Sequence, residues 1–138
     1  MGDENKRDGV VSEPSPEVDR LARDVIGAAI EVHRELGPGY HESIYEEAMA
    51  IELELRGMPF KRQLAMPVMY KGRPVGERRM DMLVADDLVV EYKTVESILP
   101  VHLAQVLSYL KVARRRLGLL INFNVSVLKE GVKRVVRS

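Results

Sequence analysis

The segment RMDMLVADDLVVEYK, from Arg79 to Lys93, is the part of the sequence from which we derive the predicted fold. It contains two short apolar segments joined by a polar turn, which is the pattern of a buried β-hairpin. Charged side chains are costly to bury within apolar strands unless they form ion pairs or bind a metal. The acids Asp81 and Glu91 and the base Lys93 therefore require an explanation.

The register of this hairpin determines whether the three charges meet. Side chains alternate along a strand, so Glu91 and Lys93 lie on the same face. A three-residue loop, 85–87, would place Asp81 directly opposite Glu91 on that face. A two-residue loop would place Asp81 opposite Tyr92, on the other face, unless a bulge corrected it. We therefore predict an odd-length loop or a bulge.

The composition indicates one soluble globular domain. The chain has 138 residues, of which 46% are hydrophobic and 30% are charged. It contains no cysteine, which excludes disulfides, thiolate metal sites and cysteine nucleophiles. No apolar run approaches the roughly 18 residues of a membrane span, and the polar N-terminus does not resemble a secretory signal. We therefore expect a cytoplasmic protein without membrane contacts.

The charges are unevenly distributed, although the net charge is zero. Residues 61–79 contain six basic residues and one acidic residue. Residues 111–138 contain eight basic residues and one acidic residue. Residues 80–110 between them hold one basic residue and five acids. Basic segments beside an acidic hairpin are a common arrangement in phosphate-binding proteins. Ordinary solvated surface charge explains the same pattern. The charge distribution alone therefore does not distinguish a phosphate-binding protein from one with a charged surface.

Two helices are predicted near the N-terminus, after a polar tail of residues 1–15 that we expect to be disordered. The first covers residues 16–36, with Ser15 as N-cap, proline at the first position and apolar residues at three- and four-residue spacing. The second covers residues 41–56. His33, near the end of the first helix, is expected at the surface.

Strands and one further helix complete the predicted domain. The predicted strands cover residues 59–70, with a break at Pro67, then 75–84, 88–94 and 117–123. A helix is predicted over residues 100–116. The last segment, 125–136, is predicted to form a strand or a hairpin. The continuous apolar run LGLLINF is typical of a strand buried on both faces. We therefore predict one α/β domain over residues 16–138, with a mixed β-sheet flanked by helices.

Helices two and three each carry polar residues that share a helix face. Glu42, Tyr45 and Glu46 share a face of the second helix, and Gln105 and Tyr109 lie four residues apart in the third. Each also has a structural explanation. An acid at a helix N-terminus is favourable, a buried tyrosine packs in the core, and a glutamine can lie at a helix margin.

Two carboxylates and a lysine on adjacent strands suit a hard divalent cation. Mg²⁺ is commonly held by one or two carboxylates together with substrate phosphates. Such a metal activates water, and a neighbouring lysine can orient that water or stabilise charge. The pattern therefore suggests metal-dependent phosphodiester hydrolysis. The structural alternative is a buried ion pair between Lys93 and Glu91, with Asp81 paired to Arg78 or Arg79.

Several motifs resemble those of one family. Asp81 followed by EYK at 91–93 resembles the PD-(D/E)xK nuclease signature, and QVLSY at 105–109 resembles the Q-x-x-x-Y motif of its RecB-like branch. GYHESIY at 39–45 matches the motif of the bacterial GxxExxY proteins, and the segments YLK and GLLINF also fit. The resemblance covers about residues 18–136, and it implies a restriction-endonuclease-like core with the site at one sheet edge.

The resemblance also implies a metal-binding set. Asp81 and Glu91 would be the principal ligands of Mg²⁺ or Mn²⁺, with the backbone carbonyl of Tyr92 as a third. Glu42 would complete the metal shell directly or through a water. Lys93 would activate the attacking water or stabilise charge.

Supporting roles follow by position in the same motifs. Gln105 would orient Lys93 or the scissile phosphate. Tyr109 would support Gln105 or contact nucleic acid. Tyr45 would either support the site or bind the substrate. Met80 stands where the family usually has a proline, a position that is commonly relaxed.

These observations lead to a metal-dependent nuclease as the expected function, with DNA as the expected substrate. The first alternative is a non-catalytic module that retains the nuclease fold and binds nucleic acid or a partner, as the small size and neutral charge allow. A second alternative is an enzyme that acts on another phosphate-containing substrate, such as a nucleotide. A homodimer would allow two strands to be cut with one site per chain.

Overall fold

The computed structural model describes residues 13–138, so residues 1–12 of the predicted tail lie outside the described residues. The rest of that segment belongs to the folded domain. Pro14 is buried, and the Ser15 hydroxyl accepts a hydrogen bond from the backbone N–H of Val18 at 3.2 Å. Ser15 is thus the N-cap of the first helix, as predicted.

The elements follow the predicted order. They are α1 (Pro16–Leu36), α2 (Glu42–Leu55), β1 (Phe60–Tyr70), β2 (Arg73–Val84), β3 (Leu88–Lys93), α3 (Pro100–Ala113), β4 (Leu117–Asn122), a 3₁₀ turn (Leu128–Gly131) and β5 (Val132–Val136). Helix α3 is shorter than predicted because Arg114 adopts a left-handed conformation, with φ of 57°, and ends it. The hairpin considered for residues 125–136 does not form, since β5 pairs with β4 instead.

The five strands form one mixed sheet in the order β1-β2-β3-β4-β5. Strands β3 and β4 are parallel, and α3 makes the crossover between them; the other neighbours are antiparallel. One buried cluster lies between the sheet and helices α1 and α2, and a second lies between the sheet and α3. The predicted α/β class, with a mixed sheet flanked by helices, is confirmed.

The central hairpin has the predicted register. Val84 pairs with Leu88 across a three-residue loop, 85–87, in which Ala85 and Asp86 have positive φ. Because the loop is odd in length, Asp81 and Glu91 are brought together.

The hairpin of β1 and β2 extends beyond the body of the domain. Strand β1 continues through Pro67, where a break was expected, and its register shifts between Val68 and Met69. We call the exposed part of this hairpin, residues 67–78, the arm. Its tip is a two-residue turn, Lys71–Gly72, in which both residues have positive φ.

The expectation that His33 lies at the surface is wrong. Its side chain is buried, and its Nε2 lies 2.8 Å from the carbonyl oxygen of Val125. The ring also stacks on Phe123, with 6.4 Å between centroids. The loop that covers His33 is 92 residues away in the sequence, so local pattern gave no sign of it.

None of the helices within residues 13–138 has the length and apolar character needed to cross a membrane.

Candidate active site

Asp81 and Glu91 meet where the backbone pairing of β2 with β3 ends. The last paired residues are Met82 and Val90. One step further, the two side chains accept hydrogen bonds from the backbone of the neighbouring strand. Glu91 Oε1 accepts from the N–H of Asp81 at 3.3 Å, and Asp81 Oδ2 accepts from the N–H of Tyr92 at 2.9 Å. Two acidic side chains are therefore held side by side at an irregular point of the sheet.

The surroundings of these two acids disfavour their charged forms. Burial, together with the charges of Glu46 and Glu42, raises the pKa of Asp81 to about 6, although hydrogen bonds from Tyr92 and Gln63 partly oppose this. Burial and the charge of Asp81 raise the pKa of Glu91 to about 8, although the charge of Lys93 partly opposes this. Glu91 is only 4% exposed, so water does little to stabilise its charge. A bound cation would relieve this repulsion.

The ion pair expected for Asp81 in the structural alternative is not observed. Arg79 pairs with Glu77 at 3.6 Å, and Arg78 lies over the ring of Tyr109, 5.8 Å from its centroid. Within residues 13–138, no arginine or lysine nitrogen lies within 4.0 Å of the Asp81 carboxylate. The acid is thus not neutralised by the protein.

Lys93 lies beside the acids without pairing to them. Its Nζ has no carboxylate within 4.0 Å in the described part of the chain, yet its charge lowers the pKa of Glu91. Strand alternation from Val89, which packs in the α3 cluster, places Glu91 and Lys93 on the same face. The Lys93 carbonyl accepts a hydrogen bond from the N–H of Phe123 at 2.9 Å, which fixes the strand beneath the side chain. The buried Lys–Glu ion pair of the structural alternative is therefore not formed.

Helix α3 contributes the predicted pair Gln105 and Tyr109. Gln105 Nε2 donates to the Tyr109 hydroxyl at 3.1 Å, and that hydroxyl donates to the carbonyl of Arg79 at 3.0 Å. Burial raises the pKa of Tyr109, and the negative charge of Glu91 raises it further, which places the hydroxyl near the acids. Among the described residues, Gln105 makes no hydrogen bond to Lys93, so its proposed role in orienting Lys93 stays a prediction.

Helix α2 brings a second acid that sequence reasoning did not assign to the site. Glu42 is its first residue and acts on Asp81 and Glu91 through its charge. Glu46 accepts from Gln63 Nε2 at 2.8 Å, and the same nitrogen lies 3.4 Å from Asp81 Oδ1. The shared helix face of Glu42 and Glu46 was a usable signal for Glu46. No pattern indicated Gln63, whose positive φ of 54° interrupts the pairing of β1 with β2.

Tyr45 has the contacts of a core residue. It is completely buried, and its ring stacks on Phe123 with 4.4 Å between centroids. Its hydroxyl donates to the carbonyl of Gly37, which ties the turn between α1 and α2 to the core. Of the two roles predicted for Tyr45, these contacts fit support and leave no surface for a substrate.

Asn122 is a further buried polar residue that sequence analysis did not single out. Its side chain accepts from the N–H of Val95 at 3.0 Å and donates to the carbonyl of the same residue at 2.8 Å. Asn122 pairs with Lys93 in the sheet, so it anchors the segment that leaves the site. The signal for it was a single polar residue inside the apolar run LGLLINF.

The donor set is suited to Mg²⁺ or Mn²⁺ but is small. No group of three histidine, cysteine, aspartate or glutamate side chains in residues 13–138 is arranged to hold a metal. Within residues 13–138, Asp81 and Glu91 form a pair of oxygen donors that no cationic side chain neutralises by an ion pair. Mg²⁺ is usually bound by one or two carboxylates and keeps several waters, so the pair fits this class of ion.

A mixed sheet that brings an Asp, a Glu and a Lys to adjacent strands has the fold and signature of nuclease-like proteins. The family model of the PD-(D/E)XK nuclease superfamily matches residues 19–135, and the chain belongs to this superfamily. Its five-stranded mixed sheet and three helices agree with a restriction-endonuclease-like fold. No curated protein and no solved structure matches the chain.

Proposed function

We propose that this protein is a metal-dependent nuclease that hydrolyses phosphodiester bonds in DNA, with Mg²⁺ or Mn²⁺ as cofactor. One observation carries the proposal. Asp81 and Glu91 are held together with raised pKa values and without an ion pair, and Lys93 lies on the same face. Perturbed acids grouped in this way are characteristic of functional sites. Membership of the nuclease superfamily supports the same conclusion.

Each member of the site has a proposed role. Asp81 and Glu91 would hold the metal together with the backbone carbonyl of Tyr92. Glu42, whose charge reaches both acids, would assist directly or through a water. The bound cation would supply activation of water and stabilisation of phosphate charge.

The remaining residues act on water and substrate. Lys93 would orient the attacking water or stabilise the charge that develops on the phosphate. Gln105 would orient the scissile phosphate or Lys93. Tyr109 would hold Gln105 and the backbone of Arg79 in place, as their hydrogen bonds suggest.

Metal binding followed by cleavage tests the proposal. Mn²⁺ is titrated into the wild type and Asp81→Asn by calorimetry, and cleavage is measured on plasmid and single-stranded substrates. Asp87→Asn is the matched control because Asp87 is an exposed acid in the same hairpin. We expect saturable binding and cleavage that Asp81→Asn abolishes and Asp87→Asn retains. If the wild type cuts neither DNA nor RNA with Mn²⁺, the nuclease proposal fails.

One observation favours a second candidate, a non-catalytic module that binds nucleic acid or a partner. Among the described residues, the hairpin offers the pair Asp81 and Glu91, and no group of three metal-ligating side chains is found. Such a module would bind nucleic acid without cleaving it, and Mn²⁺ titration would show no binding that depends on Asp81. Product analysis would separate a nuclease from an enzyme that acts on free nucleotides, and sedimentation would test the proposed homodimer.

A further inference from the structure

A groove runs between the arm and helix α3, beside the candidate active site. It has a volume of about 550 Å³ and lies within the usual range of ligand-binding pockets. Its walls carry apolar side chains that are unusually exposed, namely Val68 (39%) and Met69 (53%) of the arm and Val112 (48%) of α3. Grouped apolar exposure of this kind commonly marks a binding surface. We call this feature the arm groove.

Three cations line the arm groove, and no acid does. They are Arg78, Lys111 and Arg114, all exposed. Within residues 13–138, none of the three has a carboxylate within 4.0 Å. Other arginines of the domain are paired, such as Arg62 with Glu46 at 3.0 Å. The cations of the groove are thus available to an anion from outside the protein.

Tyr109 joins the arm groove to the active site. Its ring lines the groove beneath the guanidinium of Arg78, 5.8 Å from the ring centroid. Its hydroxyl end bonds Gln105 and the backbone of Arg79, two residues before Asp81. Tyr109 is therefore the residue that the arm groove shares with the Gln105–Tyr109 pair of the candidate site.

We propose that the arm groove binds the single-stranded part of a nucleic acid that adjoins the scissile phosphate. The three cations would contact backbone phosphates, and the apolar walls would contact base faces. A duplex keeps its base faces stacked inside and offers mainly phosphates, so it would leave the apolar walls without a partner. Proteins that bind single strands combine a cationic groove with aromatic side chains on which the bases stack, and here the exposed aliphatic walls would take the place of the aromatic ones. This inference rests on the proposed function, because it extends the substrate of the same site.

The test measures binding in EDTA, where no metal-dependent cleavage can occur. A labelled oligothymidylate is titrated with the full-length protein at several NaCl concentrations, and anisotropy is recorded. A rim variant combines Arg78→Gln, Lys111→Gln and Arg114→Gln. Its control combines Arg23→Gln, Lys129→Gln and Lys133→Gln, which remove the same charge from exposed positions outside the groove.

We expect the rim variant to bind the oligothymidylate at least about tenfold more weakly than the wild type. The slope of log affinity against log salt should fall in magnitude by about 2. The control variant should keep an affinity and a slope near those of the wild type. A wall variant, Met69→Ser with Val112→Ser, should weaken single-strand binding about tenfold and leave duplex binding unchanged. Since all these side chains are exposed, each variant should retain the wild-type melting temperature.

Three results would overturn the inference. The first is an equal loss of oligonucleotide affinity in the rim variant and in its control, which would indicate diffuse electrostatic attraction. The second is a wall variant without effect on single strands, which would leave only duplex phosphate contacts. The third is no binding of any oligonucleotide at low salt, which would leave the groove to a protein partner. Absence of cleavage with Mn²⁺ would count against the nuclease proposal alone, because binding in EDTA does not require catalysis.

Discussion

At the scale of single residues, the two acids of the hairpin would determine the chemistry of the proposed site. Both accept hydrogen bonds from backbone N–H groups, which stabilise a carboxylate. Burial nevertheless raises both pKa values, and neighbouring acids add to it: Glu46 and Glu42 for Asp81, and Asp81 and Glu42 for Glu91. The metal-free site therefore retains a proton more readily than isolated acids would, and metal binding should release it.

Stability should depend on pH through Glu91. Its pKa of about 8 in the folded protein lies above the ordinary value, so its stabilising effect is complete at low pH and is lost as the pH rises toward 8. In EDTA, the wild type should lose on the order of 3 kcal/mol relative to Glu91→Gln between pH 5 and pH 8. Urea unfolding at the two pH values measures this difference. Exposed Glu96→Gln is the control, and parallel pH profiles for wild type and Glu91→Gln would contradict the assignment.

Lys93 should affect turnover far more than metal affinity. Its ammonium group forms no ion pair in the described structure, so its removal should disturb the carboxylate pair little. We expect Lys93→Ala to lower the cleavage rate by about 10²–10⁴-fold while the affinity for Mn²⁺ stays within a few-fold of wild type. Cleavage kinetics and calorimetry on the same samples test this. Exposed Lys129→Ala should match the wild type in both; a Lys93→Ala variant that cleaves normally would remove Lys93 from the mechanism.

At the scale of elements, the packing of α3 against β4 places Gln105 and Tyr109. Gly118 permits this close approach, since a Cβ atom there would lie 2.8 Å from Val106 Cγ1. Neighbouring Leu110 and Val106 are both fully buried, so the helix has little room to adjust. The geometry of α3 relative to the acids thus depends on a glycine outside the site.

Replacing this glycine should therefore damage stability and activity together. Gly118→Ala should lower the free energy of unfolding by about 1–3 kcal/mol because it overpacks the interface. It should also reduce cleavage, since α3 must move with its two site residues. Gly76→Ala is a matched control in the arm, where an added Cβ meets nothing within 4 Å. Denaturant unfolding compares the two; equal stability for both variants would show that the interface adapts.

At the scale of the whole molecule, the site draws on both layers of the domain. Acids come from β2 and β3, a further acid comes from α2 on one side, and the Gln105–Tyr109 pair comes from α3 on the other. A ligand that bridges these elements binds only the folded protein, so its binding must stabilise the domain.

Mn²⁺ should consequently raise the melting temperature of the whole domain. At 100 times the dissociation constant, binding at one site adds about 2.7 kcal/mol to the free energy of unfolding. Asp81→Asn should abolish this increase, whereas Asp87→Asn should retain it. Thermal unfolding with Mn²⁺ and with EDTA measures the effect. An equal increase in both variants would mean that the metal binds elsewhere.

Local pattern was sufficient for much of this architecture. The start of α1 at Ser15, the strands of the central hairpin and the crossover helix follow from capping residues, alternation and the apolar run, all of which act over a few residues. The meeting of Asp81 with Glu91 was also predictable, because loop length alone sets the register of a hairpin. These are contacts between residues close in the sequence.

Contacts between segments distant in the sequence became visible only in the folded domain. Glu46 reaches Asp81 through Gln63, His33 is covered by the loop at Val125, and the arm forms a groove with α3. The order of the elements, the register of the central hairpin and the superfamily motifs could be read from the sequence, since these depend on local geometry and residue chemistry. Burial, pairing of charges and grooves depend on how layers pack, and packing is set by many weak contacts distributed over the chain.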